Sequence, residues 1–253
     1  MTNGTAGTKR RVLITGAGGG IGTNLAARLK DDYDLRLHYR SAPADGAEDH
    51  VAADIADFEQ LAPAMEGIDT VLHLAGDPRV PAPWESVLRN NIIGMYNTLE
   101  TARLAGVRRV VFASTNHVMG MYDRNEEWPV YNALPVRPDS YYGVSKAFGE
   151  NLGRYYYDEW GLEFIGLRIG WARDTPSDGS EESGGETGRA MWLSPGDCAQ
   201  VFRCAIEADV PFGIFYAVSD NPDRRWDITD TIIKLDYRPQ DSWERSLSNT
   251  PIP

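Results

Sequence analysis

The amino-acid sequence predicts an α/β fold built on a doubly wound parallel sheet. Two observations carry this prediction: short apolar runs alternate with helical patterns along the chain, and a glycine-rich turn directly follows the first apolar run. Strands that alternate with helices are joined by crossovers, which make neighbouring strands parallel. The chain has 253 residues, of which 42% are apolar, enough for one well-packed domain but not for two. We therefore expect a single domain over residues 1–253, in which residues 170–253 form a small carboxyl-terminal lobe.

Each predicted element has a local pattern that supports it. The strands are short apolar runs, and the helices are longer segments with apolar residues at helical spacing. In chain order we predict strand 12–15, helix 21–29, strand 35–39, strand 70–74, helix 87–105, strand 107–113, helix 141–160 and strand 163–169.

A polar segment separates these elements from a second, shorter set. Residues 173–188 include no apolar residue and are rich in Gly, Ser and acids, which predicts a loop. Ser194, Pro195 and Asp197 supply an N-cap hydroxyl, a proline at the first helical position and an acid in the first turn. A helix is therefore predicted from there to about residue 208, followed by strand 214–218 and a short helix near 228–235.

The glycine-rich turn has the spacing of a dinucleotide-binding fingerprint. Gly16, Gly19 and Gly22 follow the first strand at intervals of three residues, with Gly20 and Ile21 between them. Such glycines allow a tight turn, close approach to a pyrophosphate and close helix packing, and the helix amino terminus receives the negative charge. The alternative is a flexible turn without a ligand. We expect the Rossmann fold, with residues 1–169 mainly dinucleotide-binding and residues 170–253 mainly on the substrate side.

The residues after the second and third apolar runs bear on the choice of cofactor. An acid at the end of the second strand would accept the ribose 2′-hydroxyl of NAD, whereas an Arg accommodates the 2′-phosphate of NADP. The chain has Tyr39 and Arg40 there, so NADP is favoured and NAD stays possible. Arg40 could equally be a solvated charge at a strand end. Asp54 and Ile55 are placed to contact adenine, unless Asp54 only begins a helix.

A Tyr and a Lys four residues apart indicate proton-transfer chemistry. Tyr142 and Lys146 share one face of the predicted helix 141–160. The lysine cation favours the phenolate, so a tyrosine that ordinarily titrates near pH ~10 becomes a base closer to neutrality. This spacing is frequent by chance, but here it lies downstream of the glycine fingerprint. Thr115 and His117 follow strand 107–113, which places them at the ligand-binding edge of the sheet.

Several motifs in order resemble those of the extended short-chain dehydrogenases/reductases, the NAD-dependent epimerase/dehydratase family. They are the glycine turn, residues 72–76, residues 91–94, the Tyr142/Lys146 pair and residues 235–239. The resemblance implies that Thr115 orients the substrate hydroxyl, Tyr142 accepts its proton, and Lys146 holds the nicotinamide ribose. It also implies cofactor contacts from Leu74, Ala75, Gly76 and Asn91, although Asn91 could merely bond helix backbone.

Within this family, residues 114–117, 148–152 and 192–194 are similar to uronate dehydrogenases and to haloarchaeal-type glucose-6-phosphate dehydrogenases. Both oxidise the anomeric C1 of a sugar to a lactone. Residues 75–79, 82–91 and 190–194 are closer to the glucose-6-phosphate branch, so glucose 6-phosphate is favoured and a uronate, glucuronate or galacturonate, is the alternative. The expected substrate contacts are Arg79, Thr115, Asn116, His117, Tyr142 and Arg189.

Two of these contacts carry the phosphate hypothesis. Arg79 and Arg189 together could clamp a phosphate through charge-assisted hydrogen bonds, or both could be surface arginines. The resemblance puts Thr187 at the position where uronate enzymes carry their carboxylate-binding Arg. Trp171 replaces the small polar residue that the family pattern suggests, which would narrow the pocket. His117 is expected to contact sugar hydroxyls, with a structural histidine as the alternative.

Composition excludes several other classes of function. The formal net charge of −12 disfavours nucleic acid and anionic membranes as partners. No apolar run approaches the ~20 residues of a membrane span, and residues 1–10 are polar, so we expect neither span nor secretory signal and a cytoplasmic protein. Cys198 and Cys204 are expected to be reduced thiols, and no metal site is predicted. The excess of Arg over Lys indicates either a salt-adapted surface or compositional bias.

Two other functions compete with a sugar dehydrogenase. A nucleotide-sugar epimerase or dehydratase would share the fold but would need a larger carboxyl-terminal lobe than residues 170–253 provide. A non-catalytic NADP-binding sensor would need no Thr115, Tyr142 and Lys146 set. The family resemblance further implies a homo-oligomer that forms through helices 87–105 and 141–160.

Overall fold

The computed structural model describes residues 9–42 and 49–248. The polar start of the chain therefore lies outside the described residues, apart from Lys9 and Arg10. The strands are β1 (Arg11–Thr15), β2 (Asp34–Tyr39), β3 (His50–Ala52), β4 (Thr70–His73), β5 (Arg109–Thr115), β6 (Glu163–Ile169), β7 (Trp171–Ala172), β8 (Trp192–Leu193) and β9 (Phe212–Ala217).

Seven of these strands form one parallel sheet in the order β3-β2-β1-β4-β5-β6-β9. This confirms the predicted doubly wound fold. The strand order reverses direction between β1 and β4, and ligands of such sheets bind outside the carboxyl ends of the strands at this point. The short strands β7 and β8 pair separately beside that edge.

The α-helices of the described residues are α1 (Gly20–Leu29), α2 (Phe58–Leu61), α3 (Trp84–Val87), α4 (Gly94–Leu104), α5 (Gly120–Arg124), α6 (Tyr141–Trp160), α7 (Gly185–Ala190), α8 (Pro195–Glu207), α9 (Thr229–Leu235) and α10 (Trp243–Ser248). Shorter 3₁₀ segments cover Ala62–Met65, Asn116–Met119 and Glu181–Ser183. None of the helices in the described part of the chain is both long and apolar enough to cross a membrane.

Local capping explains why the two longest helices begin where the sequence predicts. The Ser140 hydroxyl accepts a hydrogen bond from the amide of Gly143 (3.1 Å) at the start of α6, and Gly161 ends that helix with a φ of +70°. Ser194 accepts from the amide of Asp197 (3.0 Å) at the start of α8. Helix α6 has the predicted bounds.

The predicted helix 87–105 is present without a break, but it begins at Trp84 and is not α-helical throughout. It consists of α3, a π-helical segment over Leu88–Ile93, and α4. The π-helical segment carries Asn91, whose side-chain amide donates to the carbonyl oxygen of Asp77 (3.1 Å) and to the Ser145 hydroxyl (3.0 Å). A widened turn of this kind is common near functional sites because it re-aims a side chain inward.

The prediction of a loop over residues 173–188 is wrong for its last part. A 3₁₀ turn covers Glu181–Ser183, and α7 begins at Gly185. Gly184 and Gly185 both have positive φ angles, and Gly184 packs so closely on Trp171 that a Cβ would lie 2.0 Å from the indole. This non-local contact orders a segment whose own composition is polar.

The carboxyl-terminal part of the chain contributes to two regions. Strand β9 forms one edge of the main sheet. Helix α8 packs against α1 and β5. Strands β7 and β8 pair with each other outside the main sheet, and α7 directly precedes β8 in the chain. Cys198 is buried and Cys204 is partly buried, and both are free thiols.

Candidate active site

The carboxyl ends of the central strands open into a cleft of about 970 Å³. Most of the sequence-predicted site residues line it: Gly16, Gly19, Gly20, Ile21, Gly22, Tyr39, Arg40, Asp54, Ile55, Leu74, Ala75, Gly76, Arg79, Thr115, Asn116, His117, Tyr142 and Lys146. Asn91 and Arg189 do not line it. Trp171, which was expected to narrow the pocket, also lines the cleft, as do residues that sequence reasoning did not assign to a site, among them His38, Asp77, Ser86 and Ser114.

The glycine turn forms a cradle that fits a pyrophosphate. A Cβ on Gly16, which has a φ of +70°, would lie 2.9 Å from the amide nitrogen of Ala75, and a Cβ on Gly22 would lie 2.5 Å from the Gly16 carbonyl oxygen. Gly20 has open space where a Cβ would be. No side chain caps the amino terminus of α1, so its first amides are available to an anion.

Buried histidines that the sequence did not flag support this cradle. His38 Nε2 donates to the carbonyl oxygen of Ala53 (3.0 Å), which leaves Nδ1 to accept from the amide of Gly16 (3.4 Å). Burial lowers the pKa of His38, consistent with this neutral tautomer. His73 Nδ1 pairs with the Thr15 hydroxyl (2.9 Å), and burial lowers the pKa of His73 to about 3. No local pattern marks these residues, because their partners are distant in sequence.

Tyr39, Arg40 and Asp54 lie together at the adenosine end of the predicted cofactor site. Asp54 Oδ1 accepts from the amide of Ala56 (2.9 Å), and Oδ2 accepts from Arg89 Nη2 (2.5 Å). The backbone hydrogen bond, followed by Arg89, lowers the pKa of Asp54, and the charge of Arg40 acts in the same direction. The Asp54 carboxylate is therefore ionised and flanked by two guanidinium groups.

Tyr142 lines the cleft and is partly buried. Burial raises the pKa of Tyr142 to about 12, a hydrogen bond with the Thr115 side chain lowers it, and the Asp77 carboxylate raises it. The pKa of Tyr142 is therefore raised, whereas the nearby Lys146 was expected to lower it. Desolvation of the phenolate outweighs the favourable hydrogen bond with Thr115. The Thr115 contact nevertheless joins the two hydroxyls that the resemblance assigns to chemistry.

Lys146 is buried next to Tyr142. Its Nζ donates to the carbonyl oxygen of Ala113 (2.7 Å) and lies 5.7 Å from the centre of the Tyr142 ring and 4.6 Å from that of Phe112. Burial lowers the pKa of Lys146 to about 8, and the Glu150 carboxylate acts against this shift. The ammonium group is thus held in one position by strand β5 rather than by the phenol.

Thr115, Asn116 and His117 form the opposite wall. The Thr115 hydroxyl donates to Asn116 Oδ1 (3.2 Å) and accepts from the backbone amide of His117 (3.3 Å). His117 Nδ1 pairs with Asp139 Oδ2 (2.8 Å), and its ring lies edge-on to Tyr142 with centroids 5.9 Å apart. The Asp139 contact orients the imidazole, so Nε2 is the nitrogen left to meet a ligand.

Arg79 is already paired at the substrate end of the cleft. Asp77 Oδ1 accepts from Arg79 Nε (2.9 Å), and Oδ2 accepts from Arg79 Nη2 (2.6 Å) and from the Ser86 hydroxyl (2.6 Å). The hydrogen bond from Arg79 is the largest cause that lowers the pKa of Asp77 far below its usual range. Asn91 lies behind this pair, where its Oδ1 accepts from the Asp77 amide (2.7 Å). Asn91 thus positions the turn after β4 rather than facing the cleft.

Arg189 is not brought to the predicted substrate site. Its guanidinium carbon lies 4.5 Å from the centre of the Trp243 ring, and Nε donates to the carbonyl oxygen of Ser177 (3.3 Å). A second bond from Nη2 reaches the carbonyl oxygen of Asp178. The short helix α10, which the sequence analysis missed, supplies the aromatic surface that holds this arginine away from the cleft.

Trp171 closes the substrate end of the cleft. Gly184 packs against the indole, and the Arg173 guanidinium carbon lies 4.7 Å from its ring centre. Thr187 lies outside the lining residues, and its hydroxyl accepts a hydrogen bond from Arg225 Nη1 (2.7 Å). The described residues contain no cluster of three His, Cys, Asp or Glu side chains that could hold a metal ion.

A buried ion pair supports the catalytic wall from behind. Arg168 Nε and Nη2 donate to the two carboxylate oxygens of Glu150 (2.9 and 2.8 Å), and the Ser114 hydroxyl donates to Oε1 (2.6 Å). Both charged side chains are only 5% exposed. Glu150 lies one helical turn after Lys146, so the pair fixes the relative positions of β5, β6 and α6.

Comparison with known proteins agrees with this geometry. Residues 12–171 match the model of the NAD dependent epimerase/dehydratase family. The chain is 41% identical over 249 residues to the NAD-dependent glucose-6-phosphate dehydrogenase of Haloferax volcanii, covering 91% of this chain and 93% of the relative. It is 42% identical over 251 residues to the L-arabinose 1-dehydrogenase (NAD(P)(+)) of that organism, covering 92% and 97%. The solved structure of glucuronic acid dehydrogenase from Chromohalobacter salexigens has a TM-score of 0.84 at 33% identity, covering 97% of this chain and 91% of that one.

The fold and these relatives place the chain among the nicotinamide-dependent oxidoreductases with a Rossmann fold. Within that class it belongs to the NAD dependent epimerase/dehydratase family. The family resemblance drawn from the sequence is confirmed.

Proposed function

We propose that this protein is an NAD(P)-dependent dehydrogenase that oxidises the anomeric C1 hydroxyl of an aldose to a lactone. The observation that carries the proposal is the position of the partly buried Tyr142, close enough to Thr115 to affect its pKa, in a cleft that also contains the glycine cradle. Relatives named for three different sugar substrates, with 33% to 42% identity to this chain, support a sugar as the substrate.

The roles of the individual residues follow from their positions. Thr115 orients the C1 hydroxyl, Tyr142 removes its proton, and C1 becomes a carbonyl carbon as its hydrogen leaves as a hydride. When bound in this cleft, an oxidised nicotinamide would supply the hydride acceptor and a positive charge that favours the phenolate. Lys146, fixed on the Ala113 carbonyl, supplies a second cation and donors for a ribose. His117 and Asn116 face the sugar hydroxyls.

Replacement of Tyr142 by Phe tests this mechanism. The Tyr142→Phe variant is expected to lose at least about 100-fold in kcat, because a positioned acid or base contributes that much or more, while cofactor affinity stays close to that of the wild-type protein. Sugar-dependent reduction of the nicotinamide and fluorescence titration of the cofactor are the two measurements. Undiminished turnover by the variant would remove Tyr142 from the mechanism, and cofactor binding without turnover of any sugar by the wild type would favour the sensor hypothesis.

The substituent far from C1 is the part of the substrate on which the named relatives differ. The expectation of glucose 6-phosphate rested on the resemblance of residues 75–79, 82–91 and 190–194 to that branch, with a phosphate clamp formed by Arg79 and Arg189 as the proposed contact. Arg79 is paired with Asp77, and Arg189 lies on Trp243 outside the cleft, so the contacts give this clamp no support. Glucose 6-phosphate and a uronate stay candidates because of the relatives named for them. Turnover of each sugar, measured side by side, decides between them.

We further propose that NADP is accepted at least as well as NAD. Arg40 lines the cleft after β2 and lies close enough to Asp54 to lower the pKa of that carboxyl, which puts a cation beside the expected ribose. The relatives include one named for NAD and one named for NAD(P)(+).

The exposed apolar face of α4 and α6 supports the proposed homo-oligomer. Tyr96 and Leu104 on α4 and Tyr141, Phe148 and Tyr155 on α6 are all exposed, although each is large and apolar or aromatic. Light scattering of the purified protein tests this, and Phe148→Glu is expected to shift an oligomer towards monomer. Cytoplasmic location stays a prediction of the sequence.

A further inference from the structure

The substrate end of the cleft contains a rigid, charge-neutral pair. Asp77 binds the Arg79 guanidinium through both carboxylate oxygens and also accepts from the Arg79 amide (3.1 Å). Ser86 and Asn91 hold the same carboxylate and its backbone. The Asp77 side chain is 7% exposed, whereas that of Arg79 is 64% exposed. The carboxylate is therefore fixed within the wall of the cleft and the guanidinium extends from it.

The other Lys and Arg side chains that line the described part of the cleft have partners away from the Asp77–Arg79 pair. Among the described residues that line it, the Lys and Arg side chains are Arg40, Arg79 and Lys146. Arg40 lies at the adenosine end, beside Asp54. Lys146 is buried and donates to the Ala113 carbonyl. An anionic group on the sugar would therefore have to use Arg79, whose charge Asp77 already balances.

The negative charge of Asp77 also reaches the site of reaction. The same carboxylate raises the pKa of Tyr142, so its field extends to the place where C1 would lie. The whole chain adds to this effect, because a formal net charge of −12 lowers the local concentration of anionic ligands. A carboxylate or phosphate in the cleft would therefore meet a balanced pair instead of an unpaired cation, and the net negative charge of the protein would repel it.

We propose that the Asp77–Arg79 pair determines specificity by favouring neutral aldoses over sugars that carry a carboxylate or phosphate. This proposal rests on the proposed function. The pair leaves guanidinium N–H groups at the cleft surface that can donate to sugar hydroxyls, and it presents no net positive charge to an anion. Neutral hydroxyls meet donors without the repulsion that an anion would meet.

The test uses sugars that differ only at C6. Values of kcat/KM are measured for D-galactose against D-galacturonate and for D-glucose against D-glucuronate, with L-arabinose and glucose 6-phosphate as further probes. The wild-type protein is expected to prefer the neutral member of each pair. Assays at about 0.1 M and about 1 M salt separate the long-range field, which salt screens, from the local pair.

Two substitutions are expected to shift this preference in opposite directions. Asp77→Asn releases Arg79 and should raise the ratio of kcat/KM for the uronate to that for the neutral sugar about ten-fold or more. Arg79→Met leaves Asp77 without its cation and should lower the same ratio. The control, Asp158→Asn, removes one negative charge from an exposed pair with Arg154 on α6 and should leave the ratio unchanged. A merely structural role would change kcat/KM for both sugars alike, whichever variant is used.

Each outcome bears on the proposal. A wild-type preference for the uronates or for glucose 6-phosphate overturns it while the dehydrogenase function stands, and the anion would then need a cation such as Arg173 or Arg225. An unchanged ratio in a folded, cofactor-binding Asp77→Asn protein also overturns it. Absence of turnover with every sugar overturns this proposal together with the proposed function.

Discussion

Neutralising Glu150 should destabilise the protein more than almost any other single change of charge. Glu150 and Arg168 are each 5% exposed and are joined by two hydrogen bonds of 2.8–2.9 Å. Glu150→Gln keeps the shape but leaves the Arg168 guanidinium as an uncompensated charge in the interior. Breaking a buried pair in this way costs about 3–5 kcal/mol, a large part of the ~5–15 kcal/mol that stabilises a typical domain.

Urea unfolding of three variants measures this effect. The free energy of unfolding of Glu150→Gln should fall by about 3–5 kcal/mol, whereas Asp158→Asn, which breaks the exposed pair with Arg154, should change it by less than about 0.5 kcal/mol. The double variant Glu150→Gln with Arg168→Met should recover much of the loss, because the unpaired charge is gone. A loss below about 1 kcal/mol in Glu150→Gln would refute the argument that this pair is dry and dependent on both partners.

Three further predictions concern the cofactor cradle, a buried lysine and the cofactor itself. Gly22→Ala should lower the melting temperature and weaken dinucleotide binding, since its Cβ would lie 2.5 Å from the Gly16 carbonyl oxygen. The control Gly20→Ala, which has open space for a Cβ, should not lower the melting temperature. The pKa of Lys146 is lowered to about 8 from 10.5, so the unfolded chain binds the extra proton between these values and the free energy of unfolding rises with pH there. Between pH 7.5 and pH 9.5 the free energy of unfolding, measured with urea, should rise by about 2 kcal/mol in the wild type. The Lys146→Met variant should lack this rise, and equal pH dependence of the two proteins would contradict the burial of Lys146. Arg40→Ala should reduce kcat/KM for NADP at least about ten-fold, as loss of a charge-assisted hydrogen bond implies, with little change for NAD, and equal losses for both would exclude a 2′-phosphate contact.

Local patterns were sufficient to predict the elements whose determinants lie within them. The bounds of α6 follow from the cap at Ser140 and the left-handed Gly161, and the glycine turn follows from the spacing of its glycines. The cleft residues adjacent to strand ends could also be predicted, because parallel strands place their carboxyl ends at one edge. Such features depend on residues that are close together in the sequence, so they can be identified from one sequence alone.

Contacts between distant segments could not be predicted in the same way. Arg189 was expected to meet the substrate, but Trp243, 54 positions along the chain, holds it elsewhere. The pKa of Tyr142 was expected to fall because Lys146 is near, but burial raises it. In both cases the sequence identifies the chemical groups. The partner of Arg189 and the direction of the Tyr142 pKa shift depend on tertiary packing and burial, which the local sequence does not show.

The groups proposed for the chemistry and those proposed to discriminate between sugars lie on different elements. Tyr142 and Lys146 belong to α6 and Thr115 to β5, and the buried Glu150 and Arg168 lock these elements together. The paired Asp77 and Arg79 come from the turn after β4, where the Ser86 hydroxyl donates to the carboxylate and the Asn91 side chain binds the Asp77 backbone. Asp77 and Arg79 themselves share no hydrogen bond with Tyr142, Lys146 or Thr115 among those described, although Asn91 also donates to Ser145 on α6. A change at position 77 or 79 can therefore alter the charge that the substrate meets while the bonds of Thr115 to Asn116 and His117 remain. This separation is the physical reason to expect relatives with one reaction and different sugars, and it makes the ratio of kcat/KM for matched sugars the informative quantity.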